Sequence, residues 1–259
     1  MTTTDTTFTA QRPPVAARRT VDAPTRVFHW LLALSFLGAW ITADGERWRQ
    51  VHVTLGYTMA GLLGWRLVWG LVGPRHARLS ALVRKVQGLP GWLQGFKAGA
   101  PNWRQAQNLL LALSVVAVLA LIAPLTLSGY ATWNEWAGDW LESVHEFFGN
   151  AMLTVVLVHL ALIAGISVLR RSNQAMPMIT GRTSGAGPDL IRNNHQALAV
   201  LLLSAVLTFW IWQWQQSPAG GGATVDLRAA GDGGDGADRA GGERRHGKQR
   251  KSPHHDLDD

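Results

Sequence analysis

Residues 143–165 read SVHEFFGNAMLTVVLVHLALIAG, a run apolar enough to lie in lipid that still keeps two histidines fourteen residues apart. Ionisable side chains are uncommon in membrane helices and usually mark function when present. Fourteen residues of α-helix rise about 21 Å and turn about 40° short of four full revolutions, so His145 and His159 share one face at two depths. One helix can therefore serve two sites stacked across a bilayer.

The composition around this segment fits a membrane protein. Of 259 residues 47% are hydrophobic, yet the mean hydropathy is only +0.05. That average conceals a segregation, because the apolar residues fall in about five blocks separated by polar or Gly-rich stretches. Several of the thirteen Trp, among them Trp30, Trp40, Trp69, Trp133, Trp140 and Trp212, sit near block ends, where an amphipathic ring suits the headgroup region. The absence of cysteine excludes disulfides, thiolate metal sites, iron–sulfur clusters and covalently attached haem. The net charge of +7 raises nucleic acid as a partner, but the basic residues cluster in loops beside apolar blocks, so nucleic acid is not expected.

Residues 1–21, rich in Thr, Pro, Ala and Arg and lacking an apolar h-region, read as a disordered cytoplasmic tail and not as a signal peptide. Spans are expected at about 24–43, 51–73, 107–127 and 144–169, with an additional one at 195–214. Pro24 suits a first helical turn preceded by Asp22 or Ala23, and Pro124 is tolerable near the end of the third span. Residues 1–28, 74–106 and 170–194 hold four, six and four Lys/Arg, whereas 128–145 holds three acids and no base. This alternation places the N-terminus and the basic loops in the cytoplasm. Leu79, Leu82, Val83 and Val86 share one face of a short interfacial helix that breaks around Gly88 and Pro90. The Gly-, Asp- and Arg-rich stretch 215–259 is expected to be disordered, and its final HHDLDD to be solvated.

Four histidines lie in or at the ends of spans: His29, His52, His145 and His159. His52 and His145 both begin spans at the outer side. His29 and His159 both lie toward the cytoplasmic side, at depths that agree roughly. Each histidine alone serves equally well as an interhelical hydrogen-bond partner. Two imidazole pairs, each held at one depth by different helices, fit bis-histidine haem b, whereas zinc takes three or four ligands. Gly56, Gly149 and Ala33 follow His52, His145 and His29 by four residues, leaving room for a flat macrocycle or marking helix packing; Ile163 breaks the pattern after His159. Arg66 lies fourteen residues after His52 and reaches the depth of the inner pair, where it suits a haem propionate or snorkels to the inner interface. His195, at the start of the last span, reads as interfacial.

DAPTRVFHWLLAL (22–34), VHVTLGYTMAGLLGWRLVWGLVGPRHARLSALVR (51–84) and VHEFFGNAMLTVVLVHL (144–160) resemble the bacterial cytochrome b561 and nickel–iron hydrogenase b-type cytochrome family. The likeness covers about residues 21–182. It implies an all-α integral membrane protein whose domain 22–182 is a four-helix transmembrane bundle binding two haems; the fifth, C-terminal transmembrane helix is a departure from that pattern, read from the apolar block alone. By the same resemblance His52 and His145 hold the outer haem iron and His29 and His159 the inner one, matching the pairing by depth. The fifth span lies outside the four-helix core and reads as a partner-binding or oligomerisation helix. The linker from His29 to His52 is compact, so the outer surface around 44–50 is expected to differ from that of relatives.

Two haems across the bilayer form an electron path, and bis-histidine ligation leaves no open iron position, which favours electron transfer over oxygen activation. The expectation is a dihaem cytochrome of the bacterial inner membrane, surrounded by lipid, that passes electrons between the quinone pool, with ubiquinone as substrate, and a periplasmic partner. The acidic, Trp-rich loop 128–145 suits a basic c-type cytochrome. Alternatives are a superoxide:ubiquinone oxidoreductase, whose anionic substrate an acidic loop repels, the cytochrome b anchor of a hydrogenase or similar periplasmic oxidoreductase, and a haem-free transporter or scaffold.

Overall fold

The computed structural model describes residues 17–216 apart from 76, 101, 137, 186 and 192. Among the described residues eight α-helices follow one another: α1 (Ala23–Ile41), α2 (Arg49–Val72), α3 (Leu79–Val86), α4 (Leu89–Lys97), α5 (Trp103–Trp133), α6 (Trp140–Leu169), α7 (Met176–Thr180) and α8 (Gln196–Gln216). Strand β1 (Ala17–Arg19) pairs antiparallel with β2 (Arg182–Ser184), with Arg18 opposite Thr183. The helices α1, α2, α5, α6 and α8 are long, and the short elements gather where α1, α5 and α8 begin. That end bears the basic loops and is called the basic end; the other is the acidic end.

Helix α1 starts where its sequence dictates. Asp22, fully buried at 0% exposure, accepts from the Thr25 amide at 3.1 Å, and Pro24 occupies the first turn, where a missing N–H costs nothing. Trp69 at the end of α2 donates its indole N–H to the other Asp22 oxygen at 3.3 Å, which ties the two helices at the basic end. Residues 17–21, expected within a disordered tail, instead carry β1. Arg26 and Trp30 of α1 donate to the carbonyls of Ile179 and Met178 at 2.9 and 3.0 Å, so the segment after α6 clasps the start of α1. The earlier residues of that tail and 217–259 lie outside the described residues.

Among the described residues three helices, α5, α6 and α8, are long and apolar enough to cross a membrane by length and composition. Helices α1 and α2, with 19 and 24 residues, would span about 28 and 36 Å, near the ~30 Å of hydrocarbon, but Arg26, His29, His52, Arg66 and several Gly and Thr dilute their apolar character. Helix α5 is longer at both ends than the expected 107–127, so Pro124 lies inside it. The proline removes the donor that Ala120 would use, and nearby the Thr126 hydroxyl donates to the Ile122 carbonyl at 2.8 Å.

The core is one apolar cluster in which Ile122, Leu62, Met152 and Met59 are at most 2% exposed, joined by Phe28, Leu31, Phe36, Leu202 and Val206. The last two belong to α8, so the fifth long helix is built into the packed core and not appended to it. Its Trp210 indole donates to the Thr58 hydroxyl of α2 at 2.9 Å. Packing of this kind relies on dispersion and interhelical hydrogen bonds, because lipid tails are as apolar as the side chains they replace. Leu201, Leu207, Ile211 and Trp214 leave the opposite face of α8 exposed and apolar.

Candidate functional site

The acidic end brings His52 and His145 together, with ring centroids 6.0 Å apart and planes at 83°. His52 stands in the first turns of α2 beside the last turn of α1, whose carbonyls have no partners within their own helix. The Ala39 carbonyl accepts from His52 Nδ1 at 2.8 Å. Across the bundle the Leu125 carbonyl of α5 accepts from His145 Nδ1 at 3.0 Å, and the Ser128 hydroxyl lies 3.3 Å from the same nitrogen. A carbonyl can only accept, so both Nδ1 atoms carry a proton, and in the neutral imidazole each Nε2 then keeps its lone pair.

Gly129 explains how the His145 ring reaches Leu125. A Cβ at position 129 would lie 2.8 Å from Cε1 and 3.0 Å from Nδ1 of His145, so only glycine lets the imidazole rest against the α5 backbone. The space beside the pair is open in the complementary way. A Cβ at Gly56 would meet no atom within 4 Å, and one at Gly149 would meet only Trp40, at 4.0 Å.

His159 repeats the arrangement deeper on α6. Ser114 Oγ lies 2.9 Å from the Leu111 carbonyl and 2.8 Å from His159 Nδ1; with its proton on Leu111 it accepts from Nδ1, the arrangement that leaves Nε2 free. Ser114 and Ser128 lie fourteen residues apart on α5, as His145 and His159 do on the antiparallel α6. The two helices thus present the same serine–histidine pair twice. The spacing was visible in the sequence, but a serine in an apolar helix ordinarily bonds its own preceding turn and attracts no notice.

His29 stands on α1 toward the basic end, as His159 does on α6, and its ring meets Trp30 edge-on with centroids 5.4 Å apart. Its Nδ1 is buried and has no hydrogen-bond partner among the described residues. This pair is therefore less completely built than the one at the acidic end. Arg66 points to the turn after its own helix, donating to the Ala77 carbonyl at 2.9 Å. His195 packs edge-on against Trp69 at 5.4 Å, at the start of α8.

Among the described residues no three histidine or acidic side chains gather to cage a metal ion. The donor set instead fits haem. Two imidazoles that face each other from different helices, each with its Nδ1 held, would supply the nitrogen donors that a haem iron takes. Protonated Nδ1 atoms anchored on the backbone are the outer support that metal-bound histidines use, and Gly56 and Gly149 keep side-chain bulk away from the pair's surroundings.

A helical membrane bundle with oriented imidazoles is the class that these features define. The prokaryotic cytochrome b561 family matches residues 20–181, and the chain belongs to that family. Its members are membrane-embedded helical bundles that bind b-type haem and act in electron transfer. Comparison with curated proteins and with solved structures gives no match.

Proposed function

We propose that the protein is a dihaem b-type cytochrome of the bacterial inner membrane, with spans α1, α2, α5 and α6 around two haems, α8 as a fifth span and the basic end in the cytoplasm. His52 and His145 hold the outer haem, and His29 and His159 the inner one. The observation that carries this reading is the outer pair, 6.0 Å between ring centroids, with each Nδ1 committed to a carbonyl. When bound, each haem supplies a one-electron iron couple. The chain's own part is to present an Nε2 lone pair from each histidine, to fix ring orientation through Ala39, Leu125 and Ser114, and to exclude water with the surrounding apolar core. The histidines of α6 set the two sites about 21 Å apart along its axis. Electrons then cross the bilayer between the quinone pool and a periplasmic acceptor or donor that docks on the acidic loop 128–145.

Redox titration of the purified protein with haem quantified per chain tests this directly. Two haems per chain are expected, with His52→Ala or His145→Ala removing the outer and His29→Ala or His159→Ala the inner. One haem per wild-type chain, or equal loss of both from every variant, would overturn the pairing.

One observation favours superoxide oxidation as a second reading. Arg49, three residues before His52, lies over the Trp133 ring at 5.1 Å and places a cation beside the outer pair, where an anion could approach. Each superoxide would give one electron to the chain and leave as dioxygen, and two such electrons with two protons would reduce a quinone to quinol. Quinone-dependent superoxide consumption that falls in Arg49→Gln supports this reading; consumption at the uncatalysed rate excludes it.

A further inference from the structure

At the basic end, where α5 begins and α6 finishes, two depressions adjoin. One, about 490 Å³, runs along α6 past Leu160, Ile163, Ala164 and Val168 and ends at Arg171 and Ser172. The other, about 470 Å³, is lined by Arg104, Gln107, Arg170, Arg171 and Ser172. They share Arg171 and Ser172, so an apolar trough opens into a basic cup. Among the described residues no acidic side chain lines either.

The cup is held in shape by the protein. Arg170 donates from Nε to the Gln107 amide oxygen at 2.7 Å and from one terminal nitrogen to Asn108 Oδ1 at 3.0 Å and the Arg104 carbonyl at 3.3 Å. Arg104 stands in the first turn of α5, where the helix dipole adds to its charge. Arg171 adopts φ 48° just past the end of α6, a position that usually takes glycine, which sets its side chain on the wall common to both depressions.

We propose that this is a binding site for an anionic phospholipid, with one acyl chain along α6 and the headgroup phosphate among Arg104, Arg170 and Arg171. Guanidinium groups suit phosphate oxygens, and basic pockets at the cytoplasmic ends of membrane helices favour anionic headgroups. A zwitterionic lipid would bring its own cation into the cup, and free phosphate has no chain to fill the trough. The proposal requires α5 and α6 to span the membrane and is independent of haem pairing.

The test is native mass spectrometry of the full chain, delipidated in mild detergent and mixed with equal phosphatidylglycerol and phosphatidylcholine. Phosphatidylglycerol should be retained about tenfold over phosphatidylcholine. Arg104→Gln with Arg171→Gln should bring the two near parity, Arg104→Lys with Arg171→Lys should keep most of the preference, and Val168→Trp should lower phosphatidylglycerol retention with the arginines intact. Equal retention of both lipids by the wild type, an unchanged preference in the Gln variant, or displacement of phosphatidylglycerol by millimolar inorganic phosphate would each overturn the assignment.

Discussion

An imidazole offers one nitrogen to a metal reliably only when the other is engaged, and three of the four span histidines meet that condition through α1 and α5. Removing the partner of His159 should be felt at once, because Ser114 is its one neighbour of this kind. Ser114→Ala is expected to weaken inner-haem retention about 10- to 100-fold and to leave the outer haem in place, read from haem titration of the apoprotein. Gly129→Ala should act on the other site, pushing the His145 ring off the Leu125 carbonyl. A shifted midpoint potential or spectrum for the outer haem alone is the expected signature; a variant with both haems unaltered would show that the close approach is incidental. The histidines were legible because fourteen residues nearly close four helical turns, and that arithmetic survives folding. Arg66 shows where such arithmetic stops. Its backbone position follows from the helix, but a long flexible side chain finds its partner locally, at Ala77, where sequence spacing alone does not point.

Among the elements, α8 departs most from expectation. A fifth apolar block reads equally well as packed or peripheral from its composition, and only Leu202 and Val206 meeting α1, with Trp210 meeting Thr58, decide the matter. Thr58→Val and Trp210→Phe should each lower resistance to detergent-induced unfolding by about 1 kcal/mol, and the double variant by less than the sum of the singles. Additive effects would mean that the hydrogen bond contributes nothing. Strand β1 was invisible for a different reason. Three residues pairing with 182–184 across most of the chain leave no local pattern from which a strand could be read. Helix α5 exceeded its expected length because Thr, Asn and Trp at its ends are weak apolar signals, yet Asn102 caps it through the Gln105 amide at 3.1 Å.

At the scale of the whole molecule, the charge asymmetry of the loops makes a topological prediction. Reporter fusions in 74–106 and 128–145 should fall on opposite sides of the membrane, with a reporter after α8 on the same side as 128–145. Matching sides for the first two would remove the transmembrane electron path. The most extensive helix packing pairs α5 with α6 and α1 with α2, which makes the bundle two antiparallel hairpins. Each proposed haem takes one ligand from α6 and the other from a different helix of the first hairpin. The cofactors would then act as two separate staples across the seam, one fastening α2 near its start and the other α1 near its start. The apolar core already joins the two hairpins, so each staple would tighten one end of the seam, and a chain short of one haem should be looser at the matching end than at the other.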